Sequence, residues 1–114
     1  MSIARKGFDL DLKDGLIGEA NLRKIFANKK IEVKRDYLSK TTGNIAIEFE
    51  CRGVPSGIAT TEAEFWCFIL EKENLYILVP TEKLRLLCAM AEIVEGGDDK
   101  ASKMYLLPKW DLIR

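Results

Sequence analysis

Two almost unbroken apolar runs, "FWCFILE" at residues 65–71 and "NLYILVP" at residues 74–80, restrict this chain more than any other feature. Each is of strand length, and a tight connection, Glu71–Asn74, separates them. An apolar run that does not alternate with polar residues reads as a strand covered on both faces. With 114 residues there is material for one core and not two, so residues 1–114 read as a single domain.

The remaining elements are placed by period and by turn chemistry. Residues 1–14 are a polar lead-in. A helix is expected over Gly15–Ala27, with Ile17, Leu22, Ile25 and Phe26 on one side and basic residues on the other. Two strands follow, Ile31–Tyr37 and Asn44–Arg52, joined as a hairpin through "LSKTTG" with turn chemistry at Thr42-Gly43-Asn44. "RGVPSGIATT" is a loop, after which Thr60 or Thr61 is placed to cap a helical turn starting at "TEAEF". Thr81 is placed to cap a helix over "EKLRLLCAMAEIV", with its stripe at Leu84, Leu87, Cys88, Ala91 and Val94. "EGGDDKAS" is a loop, "KMYLLP" a last strand and "KWDLIR" a terminal turn. The order α-β-β-(α)-β-β-α-β predicts an α/β fold, a mixed sheet with helices packed on it.

The expected hairpin carries an unusual charge pattern. In an unbulged antiparallel register, Ile31, Val33 and Tyr37 share a face with Ile45, Ile47, Phe49 and Cys51. The other face then gathers Glu32, Lys34 and Asp36 opposite Glu48 and Glu50. Side chains two apart along a strand lie roughly 6–7 Å from each other, so the five charges would surround one small volume. One reading is a wet sheet face with Lys34 bridging carboxylates. The other is a site for a hard cation. Glu19 favours the second, because it stands at the edge of the preceding helix's inward stripe, where a carboxylate needs a partner. Several carboxylates beside a lysine, with no histidine, suit Mg²⁺ or Mn²⁺.

Composition narrows the alternatives. The chain contains no histidine, which removes Ser/His/Asp and Cys/His nucleophilic catalysis. Cys51, Cys67 and Cys88 are odd in number and lack CxxC spacing, so they read as reduced thiols rather than a disulfide scaffold or a zinc site. Net charge is zero, against a surface that grips nucleic acid all over. The charge is uneven, however. From Arg23 to Lys40 there are seven basic residues (Arg23, Lys24, Lys29, Lys30, Lys34, Arg35 and Lys40) and two acidic ones. Such a run is a solvated face or a contact for phosphates. No apolar run approaches the ~20 residues of a membrane span, and the start has no apolar stretch of signal-peptide length, so a cytoplasmic protein without membrane contact is expected. Trp66 and Trp110 have apolar neighbours and read as core or interface.

A helix with Glu19, a strand ending at Asp36 in "EVKRD", then Glu48-Phe49-Glu50 in "IEFE", resembles the motif order of the PD-(D/E)XK nuclease superfamily, which includes Holliday-junction resolvases and restriction endonucleases. The string from "IEVKRD" through "TTGNIAIEFECRGVPSGIATTEAEFWCFIL" also looks like small phage-encoded nuclease-fold proteins, and the likeness covers roughly residues 15–80. The resemblance implies a restriction-endonuclease-like core and a Mg²⁺- or Mn²⁺-dependent endonuclease. The implied substrate is branched DNA such as a Holliday junction, cut by a homodimer in the cytoplasm of a phage's host. Asp36 and Glu48 would bind the metal, with the Phe49 backbone carbonyl and Glu19 as further ligands. Glu50 stands where the motif has lysine, and Lys34 is expected to supply the missing charge. Arg23, Lys29, Lys30, Arg35 and Lys40 would meet phosphates. In the "SGIATT" loop, Ser56 and Thr60 are either loop and cap residues or further backbone contacts. The alternative is a catalytically inactive nuclease-fold module that binds nucleic acid or a protein, with Glu50 marking the lost activity.

Overall fold

A computed structural model describes residues 20, 23, 24 and 26–114. Most of the expected helix Gly15–Ala27 and all of Glu19 therefore lie outside the described residues, although Ala20, Arg23, Lys24 and Phe26 are helical. The described chain is a small mixed α/β domain. Its elements are β1 (Ile31–Asp36), a one-turn helix α1 (Ser39–Thr42), β2 (Asn44–Cys51), β3 (Val54–Pro55), β4 (Phe65–Leu70), β5 (Leu75–Pro80), α2 (Thr81–Cys88), β6 (Glu92–Gly96) and β7 (Ser102–Pro108). Short 3-10 turns occupy Gly57–Ala59, Asp98–Lys100 and Lys109–Ile113.

The strands form two sheets, β1-β4-β5 and β3-β2-β7-β6. The apolar pair is the antiparallel hairpin its sequence predicts, with Phe65 opposite Pro80 and Leu70 opposite Leu75. Cover on both faces is not what it receives. Trp66, Phe68, Leu70, Ile77 and Val79 are buried on one face, whereas Tyr76 and Leu78 on the other are exposed. Ile45, Ile47 and Leu107 of the second sheet join that same core, with Leu84 and Cys88 of α2, Ile58 and Leu112.

The first two strands do not pair with each other. β1 runs parallel to β4, and β2 runs antiparallel to β7. The connection between them is the reason. Asp36 Oδ1 accepts the backbone N–H groups of Leu38 (3.0 Å) and Ser39 (2.7 Å), which starts a helical turn instead of a hairpin loop. Gly43, at φ 75°, ends that turn in the left-handed conformation, and its N–H donates to Ser39 O. The faces of β1 are consequently reversed from expectation. In-register parallel partners share a face, and Glu32, Lys34 and Asp36 are level with buried Trp66, Phe68 and Leu70. Ile31, Val33 and Tyr37, expected in the core, are exposed.

Three local expectations also change. The helix of Thr81 ends at Cys88, and Glu92–Gly96 is a strand paired with β7. The Thr81 hydroxyl does not cap it but donates to Ala63 O at 2.7 Å. No helical turn forms at "TEAEF"; the turn comes earlier, at Gly57–Ala59, and Thr61 Oγ1 accepts the Ala63 N–H instead. All three cysteines are free thiols.

Candidate functional site

Charged residues from the two sheets converge although their strands do not pair. Lys34, Arg35 and Asp36 at the end of β1 and Glu48 of β2 line one cleft of about 200 Å³, floored by Trp66 and Phe68 and closed by Gly57 and Met104. Lys34 Nζ stands 3.6 Å from Glu32 Oε1 and 5.7 Å from the centre of the Trp66 ring. Four of the residues singled out in the sequence, Lys34, Arg35, Asp36 and Glu48, therefore share one space.

The geometry around Glu48 comes from a β-bulge. Glu48 is opposite Met104, but Glu50 is opposite Lys103, so Phe49 is the extra residue. Residues 103 and 104 point to opposite faces, which puts Glu50 across the sheet from Glu48. Glu50 is ion-paired there with Lys103 at 3.3 Å, and Phe49 stacks on Tyr105 with ring centres 4.3 Å apart. The expectation that Glu48 and Glu50 share a face assumed a regular ladder, and one inserted residue overturns it.

The "PSGI" stretch is the bulge's wrapper. Ser56 N–H donates to Phe49 O at 3.0 Å, so the carbonyl proposed as a metal ligand already accepts a hydrogen bond. Ser56 Oγ donates to Glu48 Oε2 at 2.9 Å, and Ser102 Oγ donates to Glu48 Oε1 at 2.7 Å. Gly57, at φ 52°, lies so close that a Cβ there would be 2.1 Å from Glu48 O. The hydroxyl of Ser102, then that of Ser56, then the charge of Lys34 hold the Glu48 carboxyl below the usual glutamate range, against partial burial that raises it. The site keeps this acid ionised.

Asp36 is fixed by the two amides it accepts at the start of α1. The donor set offered to a cation is thus Asp36 and Glu48. Hard carboxylate oxygens match Mg²⁺ or Mn²⁺, and Mg²⁺ commonly sits on one or two carboxylates with water and phosphate completing its shell. No group of three Asp, Glu, Cys or His residues able to hold a metal occurs among the described residues. Asp36 and Glu48 are thus two carboxylates lining one cleft, short of a closed protein cage.

The basic residues expected at a phosphate backbone are mostly paired on the flank of β4. Lys29 meets Glu64 at 2.9 Å, Lys30 meets Glu62 at 3.2 Å and Arg35 meets Glu71 at 2.7 Å. Arg23, Lys40 and Thr60 are exposed. Trp66 is core, whereas Trp110 is 43% exposed with Lys109 Nζ 5.1 Å above its ring.

Sequence reasoning overlooked Ser102, Gly57 and Met104 around Glu48. Gly57 had a signal, a glycine beside serine after a charged strand. Ser102 had none, because its role depends on the β2–β7 register. No protein-family model, curated protein or solved structure matches the chain. Among the described residues no helix is long and apolar enough to cross a membrane.

Proposed function

We propose that this chain is a divalent-metal-dependent phosphodiester hydrolase acting on DNA, with the Lys34–Asp36–Glu48 cleft as its site. The observation that carries the reading is convergence. Two carboxylates and a lysine chosen from sequence meet in one cleft from separate sheets, and the Glu48 carboxyl is held ionised by two serines and Lys34. Asp36 and Glu48 would hold Mg²⁺ or Mn²⁺, which when bound supplies an acidified water and a polarised phosphate. Lys34 would contribute a positive charge beside them for the developing negative charge on the phosphate. The serines orient Glu48, and the capped turn orients Asp36.

The exposed ion pairs of Lys29, Lys30 and Arg35 suit a phosphate track. Such pairs contribute only about 0–1 kcal/mol each, so a polyanion can take the place of their carboxylate partners. Branched DNA as the substrate and a homodimer as the active form rest on the resemblance to Holliday-junction resolvases within the PD-(D/E)XK superfamily. The restriction-endonuclease-like core rests on the same likeness.

A second reading has its own observation. Glu50 is turned away to Lys103 and the Phe49 carbonyl is engaged, which favours a module that binds nucleic acid without cutting it. One assay separates the two: labelled four-way, flapped, single-stranded and duplex DNA with Mg²⁺ or Mn²⁺, with Asp36→Asn and Glu48→Gln purified in parallel. Metal-dependent cuts absent from both variants support the hydrolase. Retained binding with no cut on any substrate supports the module.

A further inference from the structure

We propose that Ser39, Glu73 and Lys109 form a positioning network that sets the Asp36 carboxylate for its cation. This rests on the metal-site reading of the cleft.

Ser39 spends every polar group it has. Its N–H donates to Asp36 Oδ1 at 2.7 Å, its hydroxyl donates to Glu73 Oε1 at 3.1 Å, and its carbonyl accepts from Lys109 Nζ at 3.1 Å. Lys109 closes the loop by donating to Glu73 Oε1 at 2.5 Å. Ser39 is 1% exposed and Lys109 is 7% exposed.

A lysine this enclosed is an expensive way to stabilise a fold. Well-packed apolar residues do as well or better at most such places, while a half-removed pair is costly. The arrangement gives position instead. Glu73 comes from the β4–β5 turn, Lys109 from the turn after β7, and both grip Ser39, one of the two residues whose amides hold Asp36. Both amide bonds to Asp36 fall on Oδ1, which orients the carboxylate and leaves Oδ2 for a ligand. Outer-shell partners of this kind typically change metal affinity by about 10–100-fold when removed.

The competing account is a structural staple, which would lower stability and leave cation binding alone. The probe is Mn²⁺, its affinity measured by titration on the whole chain, with Mg²⁺-induced shifts of the Leu38 and Ser39 amides followed by NMR. Ser39→Ala and Lys109→Met should weaken Mn²⁺ binding by about tenfold or more and reduce those amide shifts. Val79→Ala, a core truncation outside the network, should lose stability yet bind Mn²⁺ as the wild type does. If Lys109→Met does not fold, Ser39→Ala decides alone. Wild-type affinity and amide shifts in Ser39→Ala would overturn the positioning role and leave the cleft reading standing. Failure of the wild type itself to bind Mn²⁺, with Asp36→Asn no different, would overturn both.

Discussion

Gly57→Ala is the perturbation that most directly probes how the cleft is built. Gly57 sits at φ 52°, where an L-residue pays about 1–2 kcal/mol. Its added Cβ would also lie 2.1 Å from Glu48 O and 2.9 Å from Glu48 C, against 3.4–4 Å for ordinary contact. The atoms in the way are backbone, inside a bulge tied by Ser56, so they do not swing aside. Forced overpacking of this kind adds about 1–3 kcal/mol, for a total of about 2–5 kcal/mol. Gly43→Ala is the internal reference, because Gly43 has φ 75° and nothing within 4 Å of a built Cβ. It should cost only the conformational part, about 1–2 kcal/mol. At roughly 4 °C per kcal/mol, thermal midpoints should fall by about 8–20 °C for Gly57→Ala and about 4–8 °C for Gly43→Ala. Urea unfolding with an unchanged slope would confirm that stability alone has moved. Equal losses for the two variants would refute the close approach of Gly57 to the bulge.

Other outcomes follow from the same geometry. Ser102→Ala removes the 2.7 Å donor to Glu48 and should cost about 1.5–3 kcal/mol in urea unfolding, the range for a hydrogen bond to a charged group. The Glu48 contribution to stability is fully present above the ordinary glutamate value of 4.5 and is lost as pH falls through its depressed folded value. Glu48→Gln should therefore flatten the acid limb of a stability profile recorded from pH 7 to pH 3, and an unchanged limb would contradict the serine bonds. Burial pushes the Cys88 thiol up to about 11 from an ordinary 9.0. Stability should decline across that interval as the unfolded chain ionises first, and a disulfide reagent at pH 8 should modify Cys88 only on unfolding, with mass mapping as the check.

Some of this was legible in the sequence because the signal was local. The β4–β5 hairpin follows from two apolar runs of strand length and a short polar joint. The start of α2 and the last strand follow from period and turn residues, and Lys34, Asp36 and Glu48 follow from charge in strands that otherwise alternate. The extension of α2 to Val94 failed for an equally local reason. Leu84, Leu87, Cys88 and Ala91 keep a helical spacing, but pairing of Glu92–Gly96 with β7 outweighs it. Lys109 offered a faint signal, a lysine between apolar segments, whose meaning appears only with Glu73 beside it.

The amino-acid sequence determined which residues carry charge, where apolar strands begin and end, and that histidine chemistry is absent. Tertiary structure decided who pairs with whom. Alternation says that one face of a strand differs from the other, and it does not say which face meets the core or which strand lies alongside. β1 shows this: its apolar side is the exposed one, and its charged side reaches the cleft because a parallel register with β4 puts it level with Trp66 and Phe68. One extra residue at Phe49 then separates Glu50 from Glu48. Both decisions turn on hydrogen-bond registers between segments distant in the chain, where a shift of one residue exchanges the two faces.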